Sequence, residues 1–186
     1  MPEHDGPVAG RAQRPLPPPE RLQELLFDAA RIGRADMIPA LVSAGVDLEM
    51  HDPKGYTALI LASYHGSLET TQALLDAGAQ IDAPDRGREN TALMGVAFKG
   101  FGTVARLLLA AGADPNRRNH AGQTALMMAA MFSHSAIVED LIAAGADISA
   151  TDAGGNSARS LARAQNNAAM TMLLDLAAPP AKVLDG

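Results

Sequence analysis

The stretch Asp52-Pro53-Lys54-Gly55-Tyr56-Thr57-Ala58-Leu59 returns in altered wording further along the chain. Its Thr-Ala-Leu ending recurs as Thr91-Ala92-Leu93 and Thr124-Ala125-Leu126, and more weakly as Ser157-Ala158, at steps of 34, 33 and 33 residues. A second phrase keeps the same beat: Gly45-Val46-Asp47, Gly78-Ala79-Gln80, Gly112-Ala113-Asp114 and Gly145-Ala146-Asp147, at steps of 33, 34 and 33. A fixed period of this size marks a repeat architecture. Both markers slip by one residue at the same unit, so an extra residue lies between Ile81 and Thr91.

One unit can be read physically. Thr57 precedes a helical run through Ala62 and Tyr64, where its hydroxyl can cap free N–H groups. Gly66 ends that helix. Ser67 is expected to cap a second, with Leu68, Thr71, Leu74 and Leu75 at helical spacing. Gly78 supplies a left-handed stop that a residue with a Cβ resists. Ile81-Asp82-Ala83-Pro84-Asp85 is a turn-rich connection to the next unit. A helix pair of this size buries little alone, whereas stacked pairs share one continuous core.

These residues resemble the ankyrin repeat, a turn followed by two antiparallel helices. Asp52 to Leu59 stands where that family has D-x-x-G-x-T-P-L-H, and Gly112-Ala113-Asp114-Pro115-Asn116 matches its G-A-D-x-N close. The resemblance implies an all-α ankyrin-repeat solenoid of about five helix-turn-helix units joined by β-turn or hairpin fingers. The expected units are 20–51, 52–84, 85–118, 119–151 and 152–178. The wording departs from the family in two places. Its Pro is Ala at 58, 92, 125 and 158, and its His is Ile60, Met94, Met127 and Ser160. In the family that His ties neighbouring units together, so packing is expected to replace polar ties here, with Met filling irregular gaps. The Thr-Ala-Leu-Met wording is similar to that of small bacterial ankyrin proteins.

The flanks read differently. Residues 1–19 hold Pro15, Pro17, Pro18 and Pro19 and are expected to be a disordered tail. Residues 179–186 form a second tail, with Pro179 and Pro180 ending the last helix. The outermost units carry polar residues such as Arg21, Glu24, Arg159 and Arg163, as terminal units of an array need.

Composition narrows the function. The chain has 186 residues, 47% of them apolar but only 3% aromatic, with no Trp and no Cys. The missing cysteines leave no disulfide framework. A net charge of −6 argues against a general nucleic-acid binder; no specific nucleic acid is expected, and the arginine fingers leave weak non-specific binding open. Apolar runs fall short of the ~20 residues of a membrane helix, and no secretory h-region opens the chain. A cytoplasmic protein is expected. The five His follow no metal-ligand spacing. The recurring Asp52, Asp85 and Asp152 read as turn caps, and Gly100-Phe101-Gly102 lacks the Lys of a P-loop. Neither enzyme activity, metal nor cofactor is expected.

In the family, the finger tips and the pair of residues before the mid-unit Gly touch partners. On this chain the resemblance points to Tyr56, Tyr64, His65, Arg86, Arg88, Phe98, Lys99, His120, Met131 and Phe132. Four of six aromatic residues fall at these positions. Aromatic side chains concentrate at interaction hot spots, which suggests an apolar groove. The competing reading packs Phe98 and Phe132 between units. Arg86, Arg88, Arg117, Arg118 and His120 form a basic cluster on adjacent fingers, either steering an acidic partner or merely solvated. The expected function is a noncatalytic module, monomeric when free, that binds another protein through its concave groove and fingers. The alternative is a dedicated regulator, inhibitor, immunity protein or stabiliser of one neighbouring enzyme or toxin.

Overall fold

A computed structural model describes residues 16–177; the two expected tails fall largely outside them. Ten α-helices form five pairs among the described residues. They are α1 (Pro19–Ile32) and α2 (Ile38–Ser43), α3 (Ala58–Tyr64) and α4 (Leu68–Asp76), and α5 (Ala92–Lys99) and α6 (Gly102–Ala110). The last two pairs are α7 (Ala125–Met131) with α8 (Ser135–Ala143), and α9 (Ala158–Ala164) with α10 (Ala168–Ala177). The first helices of the pairs pack successively in one row and the second helices in another, giving a two-layered all-α solenoid.

Two leucine columns run through the stack. Leu26, Leu59, Leu93 and Leu126 are buried in the first row, and Leu41, Leu74, Leu108, Leu141 and Leu174 in the second. Between them lie buried alanines such as Ala62, Ala97 and Ala129. Such small side chains let neighbouring helices approach towards the ~8 Å end of the usual packing range. The first column stops at Arg159, which turns to Asp175 at 2.5 Å instead of entering the core. A cation thus closes the array where a fifth leucine would have faced water.

The caps follow the sequence, with one exception. Thr57, Thr91 and Thr124 each accept from the amide three residues on, and Ser157 forms a reciprocal capping box with Ser160. Ser67 stands at the N-cap of α4 but its hydroxyl makes no capping bond. Its side chain instead lies against Gly33, where an added Cβ would come within 2.9 Å of the hydroxyl oxygen. The same stacking position holds the Phe101 ring over Gly66, which is why that ring packs on the core.

Ile60, Met94 and Met127 are buried, as expected where apolar residues replace a polar tie. Polar ties between units persist at other positions, beside the apolar contacts that take the place of the family's His. His51 Nε2 lies 3.0 Å from the Pro84 carbonyl, and His134 Nε2 lies 3.2 Å from that of Phe98. Glu49 accepts from the Gln80 amide, Asp82 from the Asp114 amide, and Asn116 from the Asp147 amide.

Each finger is built on one side chain. Asp52, Asn119 and Asp152 accept from the amides two and four residues ahead, closing a tight turn. Asp85 does the same for Gly87, Arg88 and Asn90, so its turn closes one residue later. This is the extra residue seen in the repeat spacing. The other three turns place Gly55, Gly122 and Gly155 at positive φ, whereas the long one places Glu89 there, at φ 60°. A side chain in that region costs ~1 kcal/mol. Glu89→Gly is therefore expected to raise stability by ~0.5–1 kcal/mol despite the entropy that glycine adds to the unfolded chain. A denaturation midpoint that does not rise would refute this account of the finger.

Backbone hydrogen bonds also join the fingers to one another. The Arg86 amide donates to Gly55, His120 to Arg88 and Ala153 to Ala121. A Cβ on Gly122 would meet the backbone of the next finger at 3.0 Å, so close approach as well as φ demands glycine there.

Candidate interaction groove

The first-row helices and the fingers meet along a groove of about 690 Å³. Its floor comes from residues that follow the capping threonines: Ile60, Leu61, Met94 and Met128. These are also core residues, no more than 9% exposed, so the floor is rigid as well as apolar. The fingers supply Lys54, Tyr56, Arg88 and Asn90 to the wall.

The helix ends supply rings. Tyr64 stacks on Phe98 with centroids 6.5 Å apart and planes 12° from parallel. Phe98 meets Phe132 edge to face at 4.5 Å. His65 packs edge-on against Tyr64 at 6.0 Å, and Lys99 Nζ sits 5.2 Å over the Tyr64 ring, within cation–π range. Tyr56, Tyr64, Phe98 and Phe132 are 37–42% exposed, whereas Phe27 is buried. Phe98 and Phe132 are thus packed in part between neighbouring units and left in part exposed. Each ring leans on its neighbour and keeps two fifths of its surface in water.

The expected site residues do not all converge. Tyr56, Tyr64, His65, Arg88 and Phe98 line the groove, while Lys99 and Phe132 join it through the row of rings. Met131 is half-buried and lies outside the lining. The third ring comes from the residue after it, Phe132, the C-cap of α7 and the equivalent of His65 at the end of α3. Arg86 uses its backbone to join fingers, and its side chain does not line the groove. His120 faces Glu89 at 3.2 Å. Arg118 turns away to the Thr151 carbonyl, which separates it from the rest of the basic cluster.

Sequence reasoning missed two polar links at this site. Arg31 reaches across from the first unit to Asp52 at 2.5 Å. The Asp52 side chain is fully buried, and Arg31 also meets Asp28 at 3.1 Å. Burial alone would raise the Asp52 carboxyl. The Tyr56 amide, the Arg31 guanidinium and the Lys54 amide outweigh it and hold the pKa below its ordinary value. From the fourth unit, Asn119 donates to Asn90 of the third at 2.9 Å. The available signal was register: Arg31 stands 33 residues before Tyr64, at the equivalent place on its helix.

Among the described residues, no group of three His, Asp or Glu side chains could hold a metal ion. Likewise, no helix there is long and apolar enough to cross a membrane.

A family model for ankyrin repeats, in three copies, matches residues 19–85 and 82–152. Among similar proteins, an ankyrin repeat-containing protein of Treponema pallidum is 41% identical over 91 residues, which are 49% of this chain and 30% of that protein. The ankyrin repeat protein YahD of Escherichia coli is 35% identical over 88 residues, 47% of this chain and 43% of its own length. E3 ubiquitin-protein ligase Ufd4 of Drosophila melanogaster is 31% identical over 121 residues, 64% of this chain but 4% of the ligase. The chain thus spans less than half the length of each of these relatives.

Proposed function

Since this chain belongs to the ankyrin repeat family, whose repeats generally mediate protein–protein contacts, we propose that it is a noncatalytic interaction module. It binds another protein in the groove between its first-row helices and its fingers. The observation that carries this reading is the stacked, part-exposed row Tyr64–Phe98–Phe132, in a chain with only six aromatic residues. Rings on a rigid floor offer a partner large apolar area with little side-chain freedom to lose. Fold by itself does not fix function. This row and the cations beside it are what fit the groove to a protein partner.

The test replaces the two stacked rings. Tyr64→Ala with Phe98→Ala is expected to weaken capture of the natural partner by about 100-fold, at ~1–2 kcal/mol for each hot-spot ring. Helical content should be unchanged, because neither ring is in the buried core. Quantitative mass spectrometry of proteins crosslinked to the wild type and to the double variant reads the effect. Equal capture of the same partners by both proteins rules the groove out.

A further inference from the structure

Among the described residues, six arginines pair with carboxylates: Arg21, Arg31, Arg34, Arg106, Arg159 and Arg163. The other six cationic side chains there, Lys54, Arg86, Arg88, Lys99, Arg117 and Arg118, make no such pair. All six lie on the fingers, on the connection into the third finger, or beside the row of rings. Carboxylates on the same side are already engaged. Asp52 and Asp85 are buried against finger amides, and Glu89 faces His120. A chain of net charge −6 therefore places two unpaired cations, Lys54 and Arg88, in the wall of an apolar groove, with Lys99 over the Tyr64 ring beside them.

We propose that the occupant of this groove is an acidic protein segment with interspersed apolar side chains. The inference rests on the groove reading above and adds to it the chemistry of the partner. Carboxylates of the segment meet Lys54 and Arg88 on the finger wall. Its apolar side chains settle over Ile60 and Met94, against Tyr64 and Phe98. Opposite charges at the rim steer association and exclude basic partners. The apolar floor supplies the burial that exposed ion pairs do not. A single nucleic-acid strand would bring a charge every ~3.4 Å against a chain that is negative overall.

Fluorescence anisotropy with a labelled peptide of alternating acidic residues and leucines tests this. The control peptide carries Gln and Asn in place of Glu and Asp. The acidic peptide should bind at least about tenfold more tightly than the control. Lys54→Glu with Arg88→Glu should weaken the acidic peptide at least about tenfold and leave the control unchanged. Affinity for the acidic peptide should also fall with added salt, since the Debye length is ~8 Å at physiological ionic strength. Both peptides should weaken on the Tyr64→Ala, Phe98→Ala background, and circular dichroism should find every variant folded.

Equal binding of the two peptides, or indifference to the charge reversal, overturns the acidic preference. The groove reading survives that outcome if the ring substitutions still weaken binding. Loss on charge reversal without loss on ring removal places the segment outside the groove and overturns both. No binding of either peptide also overturns the proposal. So does an oligothymidylate that binds more tightly than the acidic peptide through the same residues.

Discussion

Leu108→Ala is expected to cost ~3–5 kcal/mol, the upper part of the range for a leucine removed from a well-packed core. Leu108 is fully buried in α6, in the middle of the second leucine column. It is flanked in register by Leu74 on one side and Leu141 on the other. Collapse of the cavity would need both neighbouring units to shift, and the ties on either side of α6 resist that. These include Asp82 to the Asp114 amide and Arg106 to Asp140. Leu174→Ala, at the end of the same column in α10, should cost less because only one unit backs it. In a quasi-one-dimensional array a weak middle also divides the cooperative unit. Calorimetry of Leu108→Ala should show a broadened or split transition, whereas Leu174→Ala should keep one main transition and lose the last helix pair early. Equal losses at the two positions would mean that the stack does not behave as a chain of nearest-neighbour contacts.

Asp52→Ala is expected to cost ~3 kcal/mol, and Asp52→Asn only ~1–2 kcal/mol. The buried carboxylate does two jobs at once. It closes the first finger through the Lys54 and Tyr56 amides, and it holds Arg31 from the unit before. Asn119 shows that an amide side chain can do the first job, since it closes the third finger with the same two bonds. The asparagine variant should therefore keep the finger and lose the ion pair. Arg31 is partly exposed, so the pair contributes less than a wholly buried one. The pH dependence has a definite sign. The folded Asp52 carboxyl titrates below its ordinary 3.8, so the folded state favours the charged form. That stability is fully present above the unfolded value and is lost as pH falls through the folded one. The gap between wild type and Asp52→Asn should narrow in urea melts taken below pH ~4 and hold steady from there to neutrality. A gap that persists at the lowest pH would assign the cost to packing and not to charge.

The features legible in the sequence are those that act over a few residues. Thr57, Thr91 and Thr124 cap the helices they precede, and Asp52, Asp85 and Asp152 close turns. The added residue shows in the repeat spacing and is found at the Asp85 finger. Each of these depends on a side chain and a backbone group at a fixed, short separation. Less legible were the links from unit to unit. Nothing near Asp52 in sequence shows that Arg31 will neutralise it, and nothing near His51 points to the Pro84 carbonyl. Ser67 looks like a cap by its neighbours, yet stacking against Gly33 decides its place. The row of rings was readable to within one residue. Repeat register aligns Met131 with Tyr64 and Phe98, but the structure draws its third ring from the C-cap residue Phe132. The helices α3 and α7 end alike, with His65 and Phe132 at their C-caps, so the third ring sits one residue on only because Met131 fills the place of Tyr64.

The bonds that run from finger to finger have a bearing on descent. Units 85–118 and 119–151 carry both halves of the joint, an amide just after the turn aspartate or asparagine and a carbonyl near the tip, whereas unit 52–84 brings only the Gly55 carbonyl because Pro53 has no N–H to donate. A stretch of coding sequence as long as either of those two units, duplicated in place, would bring a donor for the unit before it and an acceptor for the unit after it. The new joints would already match on the day of the duplication. The number of units can then drift by recombination faster than their interior changes, and each gain or loss would lengthen or shorten the ring-lined face by one step.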